Sequence, residues 1–133
     1  MALRNGSRFA VSMAQVFSHG CCLVPDSITE AQDYDERTKA RSPAVDKVTG
    51  KRVFQCRVSD LDPELAGRSR EVVVKILADR PPAAPTGQPF ELVEFEGLQV
   101  TPYANDRGRI AYSLRATGIK SARPPAAHAK DAA

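Results

Sequence analysis

The residues able to act on a ligand fall into a thiol–imidazole group, an acidic group, and a set of arginines near an aromatic ring. The first comprises Cys21, Cys22, Cys56 and His19. In an extended chain His19 and Cys21 share a face, so a zinc ion held by His19, Cys21 and Cys56 is one reading. It lacks a fourth ligand and any paired C-x-x-C spacing, and reduced thiols packed in a core are the expectation instead. A cysteine nucleophile activated by His19 meets the same objection, because packing explains the pair as well. The other histidine, His128, lies in a Pro- and Ala-rich C-terminal stretch. Among the acids Glu91, Glu94 and Glu96, the last two share a strand face, the pattern of a solvated surface rather than of an acid–base pair. No G-x-x-x-x-G-K-[ST] or G-x-G-x-x-G loop is available to cradle phosphates. A non-enzymatic protein with no metal and no cofactor is expected.

The arginine group has a clearer use. In an extended segment before residue 104, Gln99, Thr101 and Tyr103 fall on one face, with Leu98 and Val100 on the other. In the segment after it, Arg109, Ser113 and Arg115 lie opposite Ile110, Tyr112, Leu114 and Ala116. Arg107 sits in the connecting loop, and Gln55 and Arg57 of an earlier segment can join the same surface. A ring for base stacking beside cations for phosphates is what single-stranded nucleic acid needs. Tyr103 is assigned to stacking, Arg57, Arg107, Arg109 and Arg115 to phosphates, and Gln55 to hydrogen bonding. Arginines alternating with apolar residues also describe an ordinary half-exposed strand, so the same pattern fits a solvated face.

The elements that must position these residues are extended. The 133 residues suffice for one domain with one core. Hydrophobic content of 42% and charged content of 26% are those of a globular chain, which excludes wholesale disorder. No apolar run reaches the ~20 residues of a membrane-spanning helix, and no secretory leader is visible at the N-terminus, so a cytoplasmic location is expected. The net charge of +3 is mild but unevenly spread. Residues 37–57 and 103–123 are basic, and residues 60–96 between them are acidic, a distribution that can fold into one basic face.

Strands are predicted at residues 8–24 (one bent at Gly20, or two), 52–59, 71–77, 90–103 and 109–119. The 71–77 run, Glu71-Val72-Val73-Val74-Lys75-Ile76-Leu77, is predicted to be central and buried on both faces apart from Lys75. A bulge or bend is expected at Gly97, and a hairpin loop at residues 104–108. Ser27-Ile28-Thr29-Glu30 matches a capping box, so a short helical turn followed by a charged loop is expected in residues 26–50. Pro81, Pro82, Pro85 and Pro89 impose an extended connector. The expectation is a mainly β, small five-stranded antiparallel barrel of the oligonucleotide-binding (OB) type spanning residues 8–120. Residues 1–7 are expected to be flexible and residues 121–133 disordered.

Three stretches carry a family resemblance. They are residues 46–58 (Asp46-Lys47-Val48-Thr49-Gly50-Lys51-Arg52-Val53-Phe54-Gln55-Cys56-Arg57-Val58), residues 95–103 (Phe95-Glu96-Gly97-Leu98-Gln99-Val100-Thr101-Pro102-Tyr103) and residues 108–118 (Gly108-Arg109-Ile110-Ala111-Tyr112-Ser113-Leu114-Arg115-Ala116-Thr117-Gly118). Together with Phe17-Ser18-His19-Gly20-Cys21, they resemble the plasmid replication, integration and excision activators of actinomycete integrative elements. An aromatic such as Trp is expected at Phe54 in that pattern, and the Cys21–Cys22 pair is unusual for it. The layout is more distantly similar to phage single-stranded-DNA-binding proteins of the OB type, a likeness of fold only. The resemblance implies an accessory activator of replication and excision of a mobile element. DNA, single-stranded rather than duplex, is the expected partner, with a replication initiator or recombinase as a further one. A reading from another class is an adaptor that touches such a protein through a sheet edge or the Pro-rich connector, without DNA affinity of its own. The oligomeric state, homo-oligomer included, stays open.

Overall fold

In the computed structural model, which describes residues 6–122, the alternating apolar pattern becomes a set of short and long strands. They are β1 (Phe9–Ala10), β2 (Cys21–Leu23), β3 (Thr29–Glu30), β4 (Gln32–Asp35), β5 (Ala40–Pro43), β6 (Arg52–Asp60), β7 (Glu71–Ala78), β8 (Leu92–Glu96), β9 (Gln99–Ala104), β10 (Ile110–Ala116) and β11 (Gly118–Ser121). A four-residue helix, α1 (Met13–Val16), and a 3-10 turn at Gly67–Arg70 interrupt them. Strands hold 47% and helix 6%, so the chain is mainly β. Nine strands form one curled, open half-barrel sheet in the order β1-β9-β10-β7-β6-β2-β8-β11, with β3 added on β6. β4 and β5 pair only with each other. No described helix is long and apolar enough to cross a membrane.

The strand count exceeds the expected five for two physical reasons. Bending is the first. β8–β9 and β10–β11 are two halves of a single hairpin, paired from Val93↔Ser121 to Glu96↔Gly118 and again from Gln99↔Arg115 to Ala104↔Ile110. Between the halves Gly97 adopts φ +61, as the sequence foretold a bend there, and a Cβ at this position would lie 2.6 Å from Thr117 Oγ1. The Thr117 N–H and hydroxyl both donate to the Glu96 carbonyl, at 2.8 Å and 3.1 Å, which fixes the bend.

Local hydrogen bonding is the second reason. Residues 8–24 hold two strands, the second of the two expected forms, but a helix separates them. Ser12 Oγ accepts from the Gln15 N–H at 3.1 Å, and Gln15 Oε1 accepts from the Ser12 N–H at 2.7 Å. This reciprocal cap outweighs the β-forming composition. Ser27–Glu30, by contrast, starts no helix. The Ser27 hydroxyl accepts from the Arg57 N–H at 3.1 Å and donates to the Val24 carbonyl at 2.7 Å, and Thr29 and Glu30 pair with Gln55 and Phe54 as β3. The expected helical turn and loop are thus strand β3 and the β4–β5 ribbon.

The inner face of the sheet holds the core: Phe54, Cys56 and Val58 of β6, Val74 and Ile76 of β7, Val93 and Phe95 of β8, and Leu114 and Ala116 of β10. Phe17, at the end of α1, closes one end with its ring 6.2 Å from that of Phe95. β7 is central, antiparallel to β6 and parallel to β10. It is not buried on both faces as expected, for Val73 is 48% exposed and Glu71 is exposed too. Only Leu77 is covered on the outer side, in a small second cluster with Val53 and Ala44. Pairing continues beyond the expected boundary at residue 120: Ser121 belongs to β11, and the Ala122 N–H donates to the Leu92 carbonyl at 3.1 Å. The rest of the expected C-terminal tail, residues 123–133 with Arg123 and His128, lies outside the described residues, as do residues 1–5 of the expected flexible N-terminus.

Candidate nucleic-acid interface

Strand alternation places Gln55 and Arg57 of β6, Lys75 of β7, Arg115 and Ser113 of β10, and Gln99, Thr101 and Tyr103 of β9 on the outer side of the sheet, where Thr101 is itself buried. Register aligns them in rows across the strands. One row runs Gln55↔Lys75, Lys75↔Arg115, Arg115↔Gln99. The next pairs Arg57 with Val73 and Ser113 with Thr101, and Tyr103, opposite Ala111, lies one row further. Neighbours within a row sit about 5 Å apart. Of the six residues selected from sequence, four thus share one surface: Gln55, Arg57, Tyr103 and Arg115.

Arg107 and Arg109 lie elsewhere, at the tip of the β9–β10 hairpin. Their position comes from Asn105, whose Oδ1 accepts from both the Arg107 N–H (2.9 Å) and the Arg109 N–H (3.0 Å). Gly108, at φ +73, closes the turn by donating its N–H to the Asn105 carbonyl at 2.9 Å. Arg109 precedes β10 rather than belonging to it, so it extends the surface lengthwise instead of joining the rows.

The cations differ in how committed they are. Arg57 Nη1 donates to Glu71 Oε1 at 2.8 Å, an exposed pair within the face. Arg115 Nη1 donates to Thr101 Oγ1 at 3.1 Å and has no carboxylate partner among the described residues. Partial burial, and then the nearby Arg8 charge, pull its pKa below the ordinary guanidinium value, with Asp46 opposing them. Lys75 likewise has no ion pair among the described residues. Arg8 is bound by Asp46, which is buried and also accepts from the N–H and hydroxyl of Thr49. These bonds, Arg8's first, hold the Asp46 carboxyl well below the usual carboxylate range. A polar cleft of about 490 Å³ between the sheet face and the residue 31–47 segment is lined by Arg8, Asp33, Lys47, Gln55, Lys75 and Arg115, among others. A second depression of about 430 Å³ lies past Val73, Thr101, Tyr103 and Ser113.

Lys75 and Arg8 were missed as site residues. Lys75 had a signal, since it is the one charge inside an otherwise apolar run and so had to face outward. Arg8 had none, because only the fold brings the segment before β1 beside the loop carrying Asp46. The thiol group stays apart from this face. Cys21 and Cys56 are buried, and burial pushes both thiols up to about 12. Cys21 Sγ donates to the Val93 carbonyl at 3.6 Å, while His19 lies against Ser18 and Asp62. Among the described residues no cluster of His, Cys, Asp or Glu is arranged to hold a metal ion. Compared with protein-family models, curated proteins and solved structures, the chain matches none.

Proposed function

We propose that this protein binds single-stranded DNA on the outer face of β6, β7, β10 and β9, and that it serves as an accessory activator of replication and excision of a plasmid or integrative element. The observation that carries the DNA reading is the cross-strand row Gln55–Lys75–Arg115–Gln99, with two adjacent cations bonded to no described carboxylate and Tyr103 two rows away on the same side. Such a surface takes phosphates on the cations and a base on the ring. The pairing pattern supports an OB-type barrel as its scaffold. β2 pairs β6, β6 pairs β7, β7 runs parallel to β10, and the bent β8–β9 strand joins the β10–β11 strand back to β2. In that plan β6 and β7 are the second and third strands, whose face binds oligonucleotides, flanked by the 24–51 and 105–109 loops. The biological role rests on the resemblance of residues 46–58, 95–103 and 108–118 to the activator family.

Fluorescence anisotropy with labelled single-stranded and duplex oligonucleotides, each at two salt concentrations, tests the reading. Salt-sensitive binding that favours the single strand is expected. Preference for duplex shifts the role to promoter activation, and no binding by folded protein leaves the adaptor reading in its place.

A further inference from the structure

We infer that the β9–β10 hairpin is an arm that engages the junction between single-stranded and duplex DNA, with one face on each. This rests on the single-strand reading above and adds a second surface to it. β10 pairs with β7 only from Leu114 onward; Ile110 to Ser113 pair with β9 alone, so the end of the hairpin is a two-stranded ribbon projecting past the sheet. The core-facing side of β10 runs out of core along it. Ala116 and Leu114 are 1% and 8% exposed, whereas Tyr112 and Ile110 on the same side are 65% and 72% exposed. Tyr103 stands on the opposite side, continuous with the Arg115 and Thr101 surface.

Large exposed side chains on both sides of a ribbon that no other described strand pairs with need partners, and the chemistry beside them indicates which. The tip presents Arg107 and Arg109, held in place by Asn105 and suited to phosphates. Among the described strands, β1 covers the outer edge of β9 at Gln99 and Val100. Pro102 follows, which has no N–H to offer an added strand, so that edge is blunted against pairing with a second copy. By strand alternation Tyr112 points to the side of the ribbon opposite Tyr103. Tyr112 and Ile110 fit the flat apolar end of a base-paired stack instead. The ribbon lies where the strands of a fork separate.

The test compares full-length protein and an Ile110→Ser/Tyr112→Ala variant on a labelled single strand, a blunt duplex, and a forked duplex with single-stranded arms of the same length. Wild type should bind the fork about tenfold tighter than the single strand, the scale of one stacking platform. The variant should lose that preference while keeping its single-strand affinity, since both side chains are solvent-exposed and alternate to the side opposite Tyr103. Equal wild-type affinity for fork and single strand overturns the junction role alone. Retention of the preference by the variant overturns it as well, as does a shift from dimer to monomer in sedimentation with the preference intact. Absence of single-strand binding by wild type removes the proposed function instead, so the two failures are distinguishable.

Discussion

Replacing Lys75 and Arg115 together with Ala tests whether the outer face binds phosphates. The two residues are register neighbours on β7 and β10, and neither has an ion pair with a described carboxylate. Each phosphate contact to a single strand contributes about 0.7 to the slope of log affinity against log salt. At about 0.1 M salt that amounts to about fivefold in affinity per contact, so the double variant should bind ~25-fold more weakly with a slope flatter by ~1.4. Arg57 should matter less, because it must first give up Glu71 at 2.8 Å. Conversely, Glu71→Gln frees Arg57 and removes a repelling charge, and should tighten binding by about two- to fivefold, the range of an exposed ion pair. Anisotropy titrations across a salt series read both quantities. Thermal unfolding provides the control for folding, where loss of the Arg115–Thr101 bond costs about 1 kcal/mol. An unchanged slope in a folded double variant, or weaker binding by Glu71→Gln, would refute the reasoning.

The bend at Gly97 should be intolerant of a side chain, because a Cβ there meets the Thr117 hydroxyl that donates to the Glu96 carbonyl. Forcing a left-handed backbone on alanine costs roughly 1 to roughly 2 kcal/mol. Displacing the hydroxyl costs about 1 kcal/mol more, so urea unfolding of Gly97→Ala should show a loss of about 2 to about 3 kcal/mol. Asp46, whose folded pKa lies below its ordinary value, stabilises the fold above the carboxylate range, and that contribution falls away as pH drops below it. Asp46→Asn should therefore be less stable than wild type from pH 5 to 8 by urea titration, ~4 marking where the gap starts to close. A thiol reagent at pH 8 followed by mass spectrometry should modify half-buried Cys22 in the native protein, and Cys21 and Cys56 only after unfolding.

What the sequence made legible was what depends on alternation. Leu114 and Ala116 of β10 point inward, opposite Arg115, because a period of two fixes the face wherever one side is buried. The bend at Gly97 and the loop before Arg109 were legible from glycine and turn chemistry. Illegible were features decided between short local options: the Ser12–Gln15 cap that makes α1, and the Ser27 hydroxyl that joins β6 instead of capping a helix. Both serines sit in equivalent motifs, and only the strand available next to Ser27 separates their fates. The site followed the same division. Gln55, Arg57, Tyr103 and Arg115 follow from alternation plus register, whereas Arg109 was displaced to the tip because β10 begins one residue later.

Charge along the chain is a poor guide to charge on the surface, and pairing explains why. The basic segment 37–57 commits Arg52 to Glu30 at 2.9 Å and Arg57 to Glu71 at 2.8 Å, and the basic segment 103–123 has Lys120 4.0 Å from Glu94. The acidic segment 60–96, meanwhile, supplies Lys75 to the face without a described carboxylate partner. A cation already bonded to a carboxylate must surrender that bond before it meets a phosphate, while one bonded to a hydroxyl, as Arg115 is to Thr101, need not. Arg8 belongs to the first kind: Asp46 holds it in place, so it contributes shape to the cleft more than charge. The two cations of this face without a described ion pair, Lys75 and Arg115, are thus direct neighbours, on β7 and β10, which run parallel.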